Sequence, residues 1–136
     1  RHYYPVAVKR DSRRTDGRIR VEVRIGAGCI DLAAGLAFGL TNVGNSLVLA
    51  ADASAGELQL LEFVNNTRHF RRRTTAGIPL DRWLQLEVVV DGRMVTGLIA
   101  GEALIRYEHS RPVDGYVGLW SKGDSTAYFR NLDYAL

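Results

Sequence analysis

The most constraining feature of the chain is the run Arg18-Ile19-Arg20-Val21-Glu22-Val23-Arg24-Ile25, where charged and apolar side chains alternate without a break. Successive side chains of a strand point to opposite faces. Ile19, Val21, Val23 and Ile25 therefore share one face, and Arg18, Arg20, Glu22 and Arg24 the other. The run predicts a strand with one side buried and one in water. Leu84, Leu86, Val88 and Val90 repeat the pattern around Gln85, Glu87 and Val89, and Asp91-Gly92 follows as a hairpin signal. Further strands are expected over 57–64, 67–74, 94–100, 103–107, 116–121 and 126–134, with turns at Asn65-Asn66 and Gly101-Glu102.

Residues 31–40, Asp-Leu-Ala-Ala-Gly-Leu-Ala-Phe-Gly-Leu, are ambiguous alone. Alanine and leucine favour helix, while Gly35 and Gly39 would each cost about 1 kcal/mol inside one. The surrounding strand–turn rhythm, with turns about every 8–12 residues, favours a buried strand. The expectation is an all-β fold, a two-sheet antiparallel sandwich of about ten short strands.

Composition narrows the function classes. A chain of 136 residues makes one domain, 1–136, and 46% apolar content with a net charge of +3 argues against disorder. The single cysteine, Cys29, excludes an intrachain disulfide and any multi-cysteine zinc site. No apolar run reaches the roughly 18–20 residues of a membrane helix. The chain begins at Arg1, so it is expected to be processed or cut from a longer protein. The basic runs 9–14 and 68–73 read as solvated strand ends that protect a sheet edge. Nucleic acid is disfavoured as a partner, because Arg71, Arg72 and Arg73 would alternate faces on a strand.

The C-terminal third is more specific. Gly115-Tyr116-Val117-Gly118-Leu119-Trp120-Ser121-Lys122-Gly123-Asp124-Ser125, followed by Tyr128-Phe129-Arg130-Asn131-Leu132, resembles the ending of the concanavalin A-like (laminin-G-like) jelly rolls. The resemblance is to the bacterial branch that includes the 3-keto-disaccharide hydrolases. Gly28 to Phe38, with Asp31 and Gly35, and Arg82-Trp83-Leu84-Gln85-Leu86 are similar to upstream segments of that family, in order. The likeness covers about residues 15–135 and implies a jelly-roll sandwich. The chain departs from the family pattern at Gly39, at Ser46-Leu47, and over the following strand segment 50–56, where polar family residues are replaced.

Glycoside hydrolysis needs two carboxyl groups about 5–9.5 Å apart. No strand offers a close pair. Glu57 and Glu62 are five apart and fall on opposite faces, and Glu22 reads as a salt-bridged solvent-facing residue. Glu22, Asp52 and Glu57 are the nominees should the chain be a hydrolase. His2, His69 and His109 lack metal-ligand spacing, and His109 falls in a loop. Sugar binding is easier to support, because sugars stack on aromatic rings beside fixed polar groups. Tyr107, Tyr116, Trp120, Lys122 and Asp124 are the expected ligand-binding residues, with Tyr3, Tyr4 and Tyr128 as further aromatics. A family-type calcium site would draw on Asp31, Asp52, Asp124 and Asp133.

The expectation is a non-catalytic glycan-binding module of a bacterial secreted, periplasmic or envelope protein. A hydrolase, or a protein-interaction scaffold that homo-oligomerises, is the alternative.

Overall fold

The computed structural model describes Val6–Val8 as a strand, and residues 16–28, 30–42, 44–123 and 125–135 in full. Cys29, Asp124, His2, Tyr3, Tyr4 and the basic run 9–14 lie outside the described residues.

Eleven strands are described: β1 (Val6–Val8), β2 (Gly17–Ile25), β3 (Ala33–Asn42), β4 (Asn45–Asp52), β5 (Glu57–Val64), β6 (Thr67–Thr75), β7 (Trp83–Asp91), β8 (Met94–Ile99), β9 (Glu102–Glu108), β10 (Tyr116–Ser121) and β11 (Ala127–Ala135). They form two antiparallel sheets, a six-stranded one in the order β1-β10-β3-β4-β5-β6 and a five-stranded one in the order β11-β2-β7-β8-β9. The fold is a jelly-roll sandwich.

The sequence reading needs three corrections. β1 was not anticipated. Segment 50–56 does not open a strand: 50–52 end β4, and the rest is a turn in which Asp52 Oδ1 accepts the Ala55 N–H at 3.0 Å. Arg71, Arg72 and Arg73 do not simply alternate, because the β5–β6 register shifts between Leu60 and Leu61. A bulge places two successive residues of one strand opposite one of the other.

The ambiguous segment 31–40 is β3 from Ala33 onward. Its inner side chains, Ala34, Leu36 and Phe38, join the core between the sheets with Leu47, Leu49, Leu58, Leu60 and the apolar faces of β2 and β7. Its outer side carries only Ala33, Gly35 and Ala37. Those small residues lie beside Trp120, which belongs to a second buried cluster with Val48, Ala50, Leu61 and Phe63. Trp120 and Gly35 are direct cross-strand partners, and Gly35 in turn faces Ala50. Gly35 is required by close approach, since a Cβ there would fall on the Leu49 carbonyl oxygen.

The turns follow local chemistry. Asn65 (φ 50°) and Asn66 (φ 66°) take the left-handed conformations that a tight hairpin demands and asparagine tolerates. Loop 109–115 leaves β9 at one side of the five-stranded sheet and enters β10 inside the six-stranded sheet. It therefore crosses the end of the sandwich over β3, β4 and β5, and this crossing builds the candidate site.

Candidate functional site

Under the crossing lies a cleft of about 300 Å³. That is near the lower bound of small-molecule pockets, roughly 300–1,000 Å³. Gly39, Ser46, Leu47 and Phe63 line it from the strands, and Arg111, Pro112, Val113 and Asp114 from the crossing. Thr41 and Asn45, at the β3–β4 hairpin, add a hydroxyl and an amide. The hairpin is held by its own hydrogen bonds: Asn42 Oδ1 accepts the Gly44 N–H at 3.1 Å and Asn45 Nδ2 at 2.6 Å.

A buried carboxylate–imidazole contact fixes the crossing. His109 is 4% exposed, and its Nε2 lies 3.1 Å from Glu62 Oε2. The other ring nitrogen lies 2.9 Å from the Arg111 carbonyl oxygen. Glu62 Oε1 accepts Arg71 Nε at 2.9 Å. Burial alone would raise the Glu62 pKa. Hydrogen bonds from His109 and Arg71, together with their charges, outweigh it and hold the carboxyl below its ordinary value. Backbone bonds complete the anchor, with His109 N–H donating to Arg93 O at 2.7 Å and Val113 N–H to Gly92 O at 3.1 Å. The apolar side of the cleft continues into the second cluster, where Phe63 meets Trp120 at a centroid distance of 6.4 Å.

The described residues nominated from sequence fall in five places. Tyr107 lies beside the buried pair, edge-on to His109 at 6.1 Å, with the Arg72 guanidinium 4.9 Å above its ring. Tyr116 begins β10 at the cleft end. Trp120 is 2% exposed and packs against Phe63, so its ring is a core element and offers no open platform. Lys122, Asp31, Asp52 and Glu57 gather at the opposite end of the sandwich. There Lys122 Nζ stands 3.9 Å from Asp31 Oδ1, and Ser125 Oγ donates to Asp31 O at 2.8 Å.

Asp52 and Glu57 are direct cross-strand partners on β4 and β5, so the fold brings two hydrolase nominees together. Both are engaged. Asp52 caps its own turn. Glu57 Oε1 accepts Gln59 Nε2 and Arg73 Nε, each at 3.0 Å, and these two bonds lower its pKa. These bonds favour the ionised carboxylate, the opposite of the shift that suits a proton donor in glycoside hydrolysis. Glu22 is far from this pair, on the outside of the five-stranded sheet, where Arg130 and Asn131 bind its carboxylate at 3.2 Å. The salt bridge expected for Glu22 is present. Asp133 is also on that face, so Asp31, Asp52 and Asp133 do not converge. Among the described residues, no three His, Cys, Asp or Glu side chains gather to hold a metal.

The sequence reading missed Glu62, Arg111, Asp114, Thr41 and Asn45 as site residues, and it treated His109 only as a loop residue. Glu62 and His109 are 47 positions apart, and no local motif joins them. The one local sign was Pro112 near Gly115, which marks a loop but not its contents.

No family model matches the chain, and no curated protein matches it by sequence. Solved structures do match its fold. The carbohydrate-binding module CBM66 of Bacillus subtilis superposes with a TM-score of 0.85 at 19% identity, covering 91% of this chain and 77% of that one. Galectin LEC-6 of Caenorhabditis elegans gives 0.68 at 10% identity, over 99% and 96%. CG-16, a homodimeric agglutinin from chicken liver, gives 0.69 at 9% identity, over 98% and 100%. At these identities the likeness is one of fold, and the fold is the concanavalin A-like jelly roll shared by lectins and carbohydrate-binding modules.

Proposed function

We propose that the chain is a saccharide-binding jelly-roll module whose ligand seats in the cleft beneath the 109–115 crossing. The cleft itself carries the reading. A sugar offers hydroxyls that both donate and accept, together with apolar C–H faces. The cleft sets the Arg111 guanidinium, the Asp114 carboxylate, the Asn45 amide and the hydroxyls of Thr41 and Ser46 around the apolar surfaces of Phe63, Val64 and Pro112. Fixed polar groups beside apolar walls are what orient and hold a small ligand, and this cleft offers both in about equal measure. The Glu62–His109–Arg71 network pre-organises the wall, which lowers the ordering cost of binding. The structural neighbours, a carbohydrate-binding module and an agglutinin among them, support the same class.

The test is a glycan array followed by calorimetric titration of the hits, with and without a calcium chelator. Arg111→Ala and Asp114→Asn should each weaken a genuine hit about tenfold, the loss of one charge-assisted hydrogen bond. Hits indifferent to both variants would place the ligand elsewhere. An array without hits from a folded sample would remove the reading.

A further inference from the structure

The outside of the five-stranded sheet carries a second built surface. Its centre is a row of cross-strand partners, Tyr128 on β11, Arg24 on β2 and Trp83 on β7. The Arg24 guanidinium lies 4.5 Å from the Tyr128 ring and 5.5 Å from the Trp83 ring, and Arg130 covers Trp83 at 4.0 Å. Both aromatics are exposed, Tyr128 at 47% and Trp83 at 37%. Two adjoining grooves, about 290 and 310 Å³, run away from this row along β2, and Arg20 lines both.

The charges of this face are unevenly used. A β11 register shift between Arg130 and Asp133, with Asn131 at φ 57°, brings Arg130 and Asn131 together onto Glu22. Glu87 is taken by Arg18, at near-contact distance. Arg20 and Arg24 are left without a carboxylate within 4.0 Å among the described residues; their Nε atoms are buried without a hydrogen-bond partner, so only the outer ends of the two guanidinium groups are open to a ligand. Asp133 and Glu87 flank Arg20 in the register without pairing to it. A ligand arriving here meets two guanidinium groups on one strand that no carboxylate engages directly, about 13 Å apart by strand rise, beside exposed rings.

We infer that this face is a second binding surface, for a saccharide chain carrying carboxylates along its length. The separated cations fit anions spaced along an extended polymer, the two adjoining grooves lie along β2 on one side of the aromatic row, and the exposed parts of Trp83 and Tyr128 offer apolar contact beside the guanidinium groups. Guanidinium groups bind carboxylates in a planar fork, so charge and geometry point to the same ligand. The inference extends the saccharide reading to another face and does not use the cleft.

The test is native affinity electrophoresis of the whole chain through gels containing polygalacturonate, with neutral dextran as control. Polygalacturonate should retard the wild type, and dextran should not do so through this face. Arg20→Gln with Arg24→Gln should weaken retardation about tenfold or more. Trp83→Ala should weaken it as well. Arg68→Gln with Arg93→Gln removes equal charge from outside this face and should leave it within about twofold. The cleft variants of the preceding section should not change it, so the two readings fail separately. No retardation of the wild type would overturn the inference. So would an equal loss in the charge-matched control, which marks general attraction, or a loss in the cleft variants, which places the polymer in the cleft. Melting temperatures check that each variant is folded. Arg24→Lys, which keeps the charge and loses the planar fork, should bind between wild type and the double variant.

Discussion

Glu62→Gln keeps the volume of a buried side chain and removes the charge that anchors the crossing. The Glu62 side chain is 11% exposed and that of His109 5%, whereas Arg71 is 33% exposed. A hydrogen bond to a charged group contributes about 1.5–3 kcal/mol, against about 0.5–1.5 for a neutral one. Each of the two bonds therefore loses about 1 kcal/mol. Glutamine also has one acceptor oxygen for two donors, so one of them faces its amide N–H. The expected destabilisation is about 2–3 kcal/mol. It stays at or below the lower end of the roughly 3–5 kcal/mol lost when a fully buried pair is broken, because water reaches Arg71. For a chain of this size that is about 7–10 °C in melting temperature.

The pH dependence has a definite sign. Glu62 is held below its ordinary value of 4.5, so over the interval beneath that value the unfolded chain binds more protons than the native one. Stability from this group is complete above about pH 4.5 and is lost as pH falls through the lower native value. Urea unfolding, followed by the fluorescence of buried Trp120, measures this directly. The gap between wild type and variant should narrow as pH is lowered from about 5 to 3. A variant within about 0.5 kcal/mol of wild type at neutral pH, with an unchanged acid limb, would refute the anchoring argument.

Trp120→Ala should cost about 3–5 kcal/mol, read as a lowered urea midpoint, because the ring fills the second apolar cluster. Gly35→Ala should cost about 3 kcal/mol or prevent folding, since the Leu49 backbone cannot yield as a side-chain tip can; soluble yield and thermal melting check it. Ala100→Gly should stabilise by about 0.5–1 kcal/mol in the same unfolding assay, because Ala100 sits at φ 49° in the β8–β9 turn, where glycine has no Cβ penalty.

The strands were legible where one face is polar. β2 and β7 announce themselves because arginine and glutamate alternate with branched apolar residues. β3 hid its period because both of its faces are buried. Its signal is alternation of size: Gly35 and Ala37 stand on the side crowded by Trp120, and Leu36 and Phe38 on the side that fills the core. The irregularities were not legible. The register shift beside Leu60 and Leu61 turns the Arg71–Arg73 tract from a simple alternation into three separate tasks. Arg71 pairs with Glu62, Arg72 covers Tyr107, and Arg73 pairs with Glu57. The reading of this tract as edge protection suits its place, since β6 is the last strand of its sheet. The candidate site was least legible, because its residues come from strand ends and a crossing loop that only the topology brings together.

The position of Trp120 links the fold to where recognition can occur. A jelly roll offers a ligand two sheet faces and the loops at its ends. In this chain the outer face of the six-stranded sheet is closed at its centre, where Ala37, Val48 and Ala50 are fully buried and Trp120 and Phe63 nearly so. Small residues on β3 and β4 made room for that packing, and one of them, Ala50, lies in the segment where the sequence departs from the polar pattern of the family it resembles. Apolar packing there stabilises the sheet and removes polar groups that a ligand would have used. What stays accessible includes the end cleft, walled by a loop tied down through Glu62 and His109, and the outside of the other sheet, where Arg20 and Arg24 have no carboxylate within 4.0 Å among the described residues. At both places polar groups fixed by the fold still face solvent, and a search for ligands should begin there.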